Sequence, residues 1–246
     1  MTGYEVVGDV HGHADALTAL LRRLGYRDRG GAWRHPERTA VFVGDLVDRG
    51  PGQVETVGVV HRMVEAGSAR IVMGNHEFNA IAWATPDAHG GWYRAHNERH
   101  FGQHARFLAT VGAGSALHAE LIGWFRTIPL WLDLDGLRVA HACWHPASMA
   151  VLGGGTLADE HVAAEKGSAV YDAIEVVLKG PEIEMNDTVY LDNDGHLRRG
   201  ARFRWWSSDA TTLRQAAEIP GDATAADGTS SSSHHVKRLR PSTSTQ

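Results

Sequence analysis

The sequence predicts an α/β protein, with a parallel sheet carrying helices on its faces. Two observations carry this reading. Short apolar strands alternate with helix-period stripes from residue 4 onward, and each of the first three strands runs directly into a short polar cluster containing glycine. With 246 residues, 43% of them hydrophobic, the chain is long enough to bury one sizeable core.

The elements follow in order. "YEVV" (4–7) reads as a short apolar strand. Leu17, Leu20, Leu21 and Leu24 then repeat at i, i+3, i+4 and i+7, the stripe of an amphipathic helix, with Gly25 as its stop. "TAVFVG" (39–44) is a second strand. Val54, Val57, His61 and Val64 form the next helix stripe, which ends at Gly67, and "ARIVMG" (69–74) is a third strand. Residues 78 to 128 read as mostly helical, best in "ERHFGQHARFLATVG" and "ALHAELIGWF". "LWLDL" (130–134) and "LRVAHA" (137–142) flank Asp135-Gly136, a dipeptide that supplies the left-handed residues of a tight hairpin turn. Residues 159–179 read as helical. "TVYL" (188–191) and "RFRWW" (202–206) flank "DNDG", which predicts a second hairpin. From about residue 220 the chain is poor in large apolar residues and rich in Ser and Thr. This divides it into a folded domain over 1–219 and a disordered tail over 220–246.

Composition narrows the function. The net charge of −5 gives no basic field that would attract nucleic acid. No apolar run is long enough for a membrane span. The start of the chain has no secretory pattern, and Cys143 is the single cysteine, so a cytoplasmic location is expected. Sixteen histidines call for a use.

The strand ends supply one. The first strand leads into "GDVHG" with Asp9 and His11, and the second into "GDLVDRG" with Asp45, Asp48 and Arg49. The third leads into "GNHE" with Asn75 and His76, and the second strand of the hairpin, "LRVAHA", runs into "VAHAC" with His141. In a parallel sheet the C-terminal strand edges lie side by side, so these clusters can converge. If "DVH" stays extended, Asp9 and His11 point the same way. Each cluster has an ordinary reading: Asp after Gly caps helices and turns, Asn75 can cap a helix with Glu77 in its first turn, and "DRGP" is turn composition. Four such clusters, each following an apolar strand, are better explained by a shared ligand. Oxygen and imidazole donors without thiolate suit Mn, Fe, Zn or Mg, and several carboxylates in one place call for bound cations. Two divalent ions sharing a carboxylate clamp a phosphoryl group, and Arg49 suits its oxygens.

"GDVHG", "GDLVDRG" and "GNHE", in this order, resemble the calcineurin-like metallophosphoesterase superfamily. The nearest branch is that of the phosphoprotein phosphatases, which holds Ser/Thr protein phosphatases and symmetrical diadenosine tetraphosphatases. The match covers residues 4–79, and His141 in "RVAHA" is similar to the next motif. The resemblance implies an α/β/β/α sandwich, a central mixed β-sandwich flanked by helices. It implies an enzyme that hydrolyses a phosphate ester or anhydride by attack of water activated by two divalent metals, most readily Mn, with Fe or Zn as alternatives. Its substrate would be a phosphoprotein or a nucleotide such as a dinucleoside polyphosphate. By the same resemblance Asp9 and His11 bind the first metal, Asp45 bridges both, and Asn75 and His141 bind the second. His76 is the general acid, held by Asp48, and Arg49 binds the phosphate.

Two departures stand out. The fourth motif has Cys143 where the family places glycine; the thiol is either an oxidation-sensitive neighbour of the site or a small core residue. The family's late Gly-His motif, whose imidazole completes the second metal, has one counterpart late in this chain, Gly195-His196, in the "DNDGH" turn. His145, His234 and His235 are the other histidines considered. The alternative function is therefore a catalytically impaired relative that binds phosphate or nucleotide in a regulatory role. "HGGWYRAHNERH" (89–100) offers Trp92, Tyr93 and Arg94 for a base or phosphate, or else forms a surface helix with aromatic packing.

Overall fold

A computed structural model describes residues 3–184, 190–191, 197–207, 209 and 213–218. The chain divides into two compact units, Met1–Lys179 and Gly180–Gln246.

The first unit is built on a parallel sheet. Strand β1 (Gly3–Val7) leads to helix α1 (Ala14–Arg23), a hairpin of β2 (Arg27–Arg29) and β3 (Ala32–Arg34), and the central strand β4 (Arg38–Phe42). Helix α2 (Gln53–Glu65), strand β5 (Ala69–Ile71) and helix α3 (Asn75–Ala84) follow. The sheet order is β1-β4-β5, parallel throughout, with Val7 opposite Phe42 and Phe42 opposite Ile71. This is the predicted strand-helix-strand alternation. In β4, Ala40, Val41 and Phe42 are fully buried because both faces of the strand are covered. Phe42 and Ala40 join the main core with Leu17, Leu21, Val57, Val60 and Met63. Burying a Leu, Val, Phe or Met side chain there contributes roughly 1.5–3 kcal/mol each. Val41 faces the other way, into a smaller cluster with Val72 and Val139.

Val139 belongs to the predicted hairpin, β6 (Trp131–Leu134) and β7 (Leu137–Ala140). Leu134 pairs with Leu137 across Asp135-Gly136, and Gly136 takes the left-handed φ of 79°. Leu132, Leu134 and Leu137 pack on the Val41 face, so the hairpin lays a second β-layer over it. The remaining helices of this unit are α4 (Glu98–Val111), α5 (Ala116–Phe125), α6 (Pro146–Leu152), α7 (Asp159–Val162) and α8 (Ala169–Lys179). The Asn97 and Ser115 side chains cap α4 and α5 by accepting the N–H groups of His100 and His118.

Several expectations need correction. The β2–β3 hairpin was not expected; Gly30 and Gly31 turn it, with φ values of 66° and 84°. Helix α2 buries Gln53, Thr56, Val57, Val60 and Met63, so its inward face is rotated from the predicted stripe. His61 is half-buried and sets its ring 4.6 Å from Trp124. Residues 85–97 are not helical: Pro86 bridges Trp92 instead. The stretch 159–179 breaks into α7 and α8, with Gly167 at φ 85° between them.

In the second unit, β11 (Gly200–Phe203) pairs antiparallel with β8 (Glu182–Glu184) and β12 (Ala217–Glu218). Strand β9 (Tyr190–Leu191) pairs with β10 (Leu197–Arg198), and a short helix α9 (Leu213–Ala216) precedes β12. Of "TVYL", the described residues Tyr190 and Leu191 therefore pair with Arg198 and Leu197 and not with "RFRWW". The "DNDG" turn, His196, His234, His235 and the predicted tail lie outside the described residues.

Candidate metal centre

The strand-end loops of the first unit are stitched together by their backbones. The N–H groups of Val10 and His11 both donate to the Asp45 carbonyl, Gly12 donates to Leu46, and Gly50 donates back to His11. The buried Gln53 closes the "DRGPG" turn: its amide donates to the carbonyls of Gly50 and Asp48 and its oxygen accepts the Asp48 N–H. A Cβ on Gly12 would lie 2.1 Å from the Gln53 nitrogen, and Gly12 has φ 67°, so only glycine fits there.

The tight stitching holds four residues in the left-handed region. His11, Asp45, Asp48 and Arg49, with φ between 47° and 70°, are the non-glycine residues with positive φ among those described. All four are site candidates from the sequence. Such conformations are costly and persist where the surroundings enforce them. The turn at His11 also corrects one expectation: "DVH" is not extended. Asp9 and His11 meet through the turn, with Asp9 Oδ2 3.8 Å from His11 Nε2.

Glu77 is the chief anchor. It is fully buried and accepts the N–H groups of Asp45 (2.8 Å), Leu46 (2.7 Å) and Gly74 (3.1 Å). It thereby fixes both the second strand end and the start of α3, where Gly74, and not Asn75, is the N-cap. Burial raises its carboxyl pKa and the nearby Asp45 adds to this, while the backbone donors pull the other way.

Asp45 is the hub. Its Oδ1 accepts the His76 backbone N–H at 3.0 Å. Its Oδ2 lies 3.6 Å from His141 Nε2, 3.8 Å from His11 Nε2 and 3.9 Å from His76 Nε2. These separations are too long for hydrogen bonds. They suit atoms that share an ion, since two ligands each about 2 Å from a cation lie at most about 4 Å apart.

The imidazoles are set for that role. His11 Nδ1 bonds the Val47 carbonyl and His141 Nδ1 bonds the Val43 carbonyl. A carbonyl only accepts, so each Nδ1 donates and each Nε2 presents a lone pair. His11 Nε2 is buried without a hydrogen-bond partner. Burial also lowers the His11 pKa, which keeps that lone pair free at neutral pH. His141 Nε2 faces Asn75 Oδ1 at 3.1 Å, two acceptors that a cation would reconcile. Two groups, His11–Asp45–His76 and Asp9–Asp45–His141, each bring their ligand atoms within 4.8 Å of one another, and Asp45 belongs to both. The donor set fits two hard or borderline divalent cations.

His76 turns its other nitrogen to Asp48, Nδ1 to Oδ2 at 2.5 Å. Burial lowers the His76 pKa, but the Asp48 hydrogen bond and the Asp45 and Asp48 charges outweigh it and leave the value raised. Arg49 is exposed, and its charge helps depress the pKa of His11.

Three residues of this centre were not legible in the sequence: Gln53, the anchoring role of Glu77, and His104 of α4, whose Nδ1 lies 2.8 Å from Asp48 Oδ1. Two other candidates are resolved. Cys143 is buried and burial pushes its thiol up to about 11, which fits the core reading. His145 Nδ1 is occupied by Ser148 at the start of α6. In the aromatic segment, Arg94 is bound to Asn79 and Gln103, while Trp92 stacks on His96 and His96 on Trp83. These three rings border a cleft of about 570 Å³ that also touches His118, Ile122 and Arg126.

A family model described as calcineurin-like phosphoesterase matches residues 6–220. The asymmetrical bis(5'-nucleosyl)-tetraphosphatase PrpE of Bacillus velezensis is 46% identical over 74 residues, 30% of each chain. The symmetrical bis(5'-nucleosyl)-tetraphosphatase of Vibrio cholerae is 29% identical over 177 residues, 72% of this chain and 52% of that protein. The matches thus span about a third to a half of these relatives' lengths. A solved structure of a putative diadenosine tetraphosphatase aligns over 81% of this chain and 65% of its own, with a TM-score of 0.41 and 18% identity. No helix among the described residues is long and apolar enough to cross a membrane.

Proposed function

The chain belongs to the calcineurin-like phosphoesterase family, and on that premise we propose that it is a metal-dependent hydrolase of a phosphate ester or anhydride. The observation that carries the proposal is the Asp45 hub, one carboxylate oxygen within 3.9 Å of three imidazole nitrogens, in a left-handed turn that only a dense backbone network sustains. Asp9, His11 and Asp45 would hold one cation, and Asp45, Asn75 and His141 a second. Bound there, divalent ions, Mn in the first place, supply positive charge to the phosphoryl oxygens and make water a competent nucleophile near neutral pH. The protein's own groups do the rest. Arg49 grips a phosphate oxygen. Asp48 holds the Nδ1 proton of His76, which leaves Nε2 to deliver a proton to the leaving oxygen.

The substrate class is a dinucleoside polyphosphate or similar nucleotide anhydride ahead of a phosphoprotein. The relatives' names support it, and so does Trp92, whose exposed ring beside the cleft offers a flat face to a base. The single buried cysteine supports a cytoplasmic setting.

The test is metal content together with phosphate release, from an aryl phosphate and from a dinucleoside tetraphosphate, with added Mn. Turnover and bound metal are expected in the wild type. Asp45→Asn should lose both with little change in fold. Full activity and full metal in that variant would remove the model, and bound metal without turnover in the wild type would favour the regulatory alternative.

A further inference from the structure

We propose that His104 is a positioning residue: it clamps the far oxygen of Asp48 so that Asp48 can hold His76 in one orientation. Three observations lead there. His104 lies on the inward stripe of α4 with Phe107, Leu108 and Val111, a row where an apolar residue would pack without cost. It is instead a buried imidazole whose Nδ1 reaches Asp48 Oδ1 at 2.8 Å, across 56 positions of chain. Its Nε2 is also buried and has no hydrogen-bond partner, so the ring carries a desolvation cost that only the Asp48 contact offsets.

The contact completes a chain. Asp48 Oδ2 takes His76 Nδ1, Oδ1 takes His104 Nδ1, and the Asp48 backbone N–H is held by Gln53 at 2.7 Å. A carboxylate bound at one oxygen can swing about its side-chain torsions and carry its partner with it. Bound at both, and on a backbone fixed at φ 70°, it cannot. The surroundings of His104, with Phe107 at 4.9 Å and Trp83 at 6.1 Å between ring centres, keep water away and strengthen the charged hydrogen bond. His104 sits away from the reacting atoms and acts through Asp48.

The inference rests on the reading of His76 as proton donor, and its test separates the two. His104→Phe keeps the ring and removes the donor; His104→Asn puts an amide N–H where Nδ1 stands. Should the Phe variant not fold, His104→Leu replaces it. With Mn-loaded protein and aryl phosphates of graded leaving-group basicity, His104→Phe should lower kcat by on the order of 10–10²-fold, the worth of one hydrogen bond to a charged group. KM should change little, the loss should grow for basic leaving groups, and His104→Asn should recover most of it. The second readout needs neither metal nor substrate. In proton NMR of the chelated protein, the His76 Nδ1–H resonance should shift or broaden in His104→Phe and return in His104→Asn. An unchanged His76 signal, or an Asn variant no better than Phe in both readouts, overturns the proposal. If the signal responds as expected but His76→Ala slows all leaving groups equally, the clamp stands and the acid role of His76 fails.

Discussion

His76 faces two ways, and its two neighbours assign it different roles. Its Nε2 lies 3.9 Å from Asp45 Oδ2, within reach of a shared ion, while its Nδ1 is bonded to Asp48. His76→Ala decides between ligand and proton donor. The acid reading expects both metals to stay bound and turnover to fall by on the order of 10²–10⁴, least for leaving groups that need no proton. Metal analysis showing one ion lost would make His76 a ligand. Asp48 permits a prediction of stability against pH. Burial works to raise its carboxyl pKa, but hydrogen bonds from His104 and His76 more than reverse this, so the folded value lies below the ordinary 3.8. A depressed carboxyl stabilises the fold above its unfolded pKa and loses that contribution as pH falls through the folded value. The urea midpoint of chelated wild type should therefore exceed that of Asp48→Asn at pH 6, and the gap should close below about pH 4. A constant gap across that range would contradict the ionised pairing. At this scale the sequence exposes the residues that follow strands within motifs. It hides His104, because a histidine on an apolar helix stripe reads as core and its partner is 56 positions away.

The elements matter through where they end. Strand β4 and helix α3 meet at Glu77, and the junction is so close that a Cβ on Gly74 would lie 2.2 Å from Asp45 Oδ1 and 2.3 Å from the Asp45 nitrogen. Gly74 has an ordinary φ of −91°, so the demand is for space alone. Gly74→Ala must push the Asp45 turn aside. We expect it to lose bound metal and activity and to cost about 1–3 kcal/mol of stability by urea unfolding, the range for overpacking. Gly8→Ala, with nothing within 4 Å, should cost far less. Equal behaviour of the two variants would show that the close approach is unimportant. Elements with a strong period or turn signal were readable: β1, β4, β5, α5 and the Asp135-Gly136 hairpin. Others depended on contacts no local pattern shows. The inward face of α2 is the one it packs on the core, which leaves His61 at its margin against Trp124, and residues 85–97 leave the helix at Pro86. Arg202 and Phe203 of "RFRWW" lie between β8 and β12, and not beside the strand that the nearest turn signal suggested.

Across the whole molecule, the candidate donors among the described residues all come from the first unit, Met1–Lys179. On the proposed allotment, Asp9, His11 and Asp45 would give one ion two carboxylates and an imidazole. Asn75 and His141, with the shared Asp45, would give the other an amide oxygen and a single imidazole. An amide is neutral and a weaker ligand than a carboxylate, so the second ion should be held less firmly. The resemblance allots it one more imidazole, for which the sequence offers His196, outside the described residues. His145 does not suit it, since its Nδ1 accepts the Ser148 backbone N–H, which leaves the proton of the neutral ring on Nε2 and no lone pair there. The prediction is unequal occupancy: one metal retained through purification, a second that fills only with added Mn, and activity that climbs well past the first equivalent. Titration calorimetry and activity against free Mn measure this directly. His196→Ala should deepen the dependence on Mn if His196 supplies the imidazole, and should be silent if it is only a turn residue. Two firmly held metals in the wild type, unchanged by His196→Ala, would mean that a group outside the set named here completes the second position.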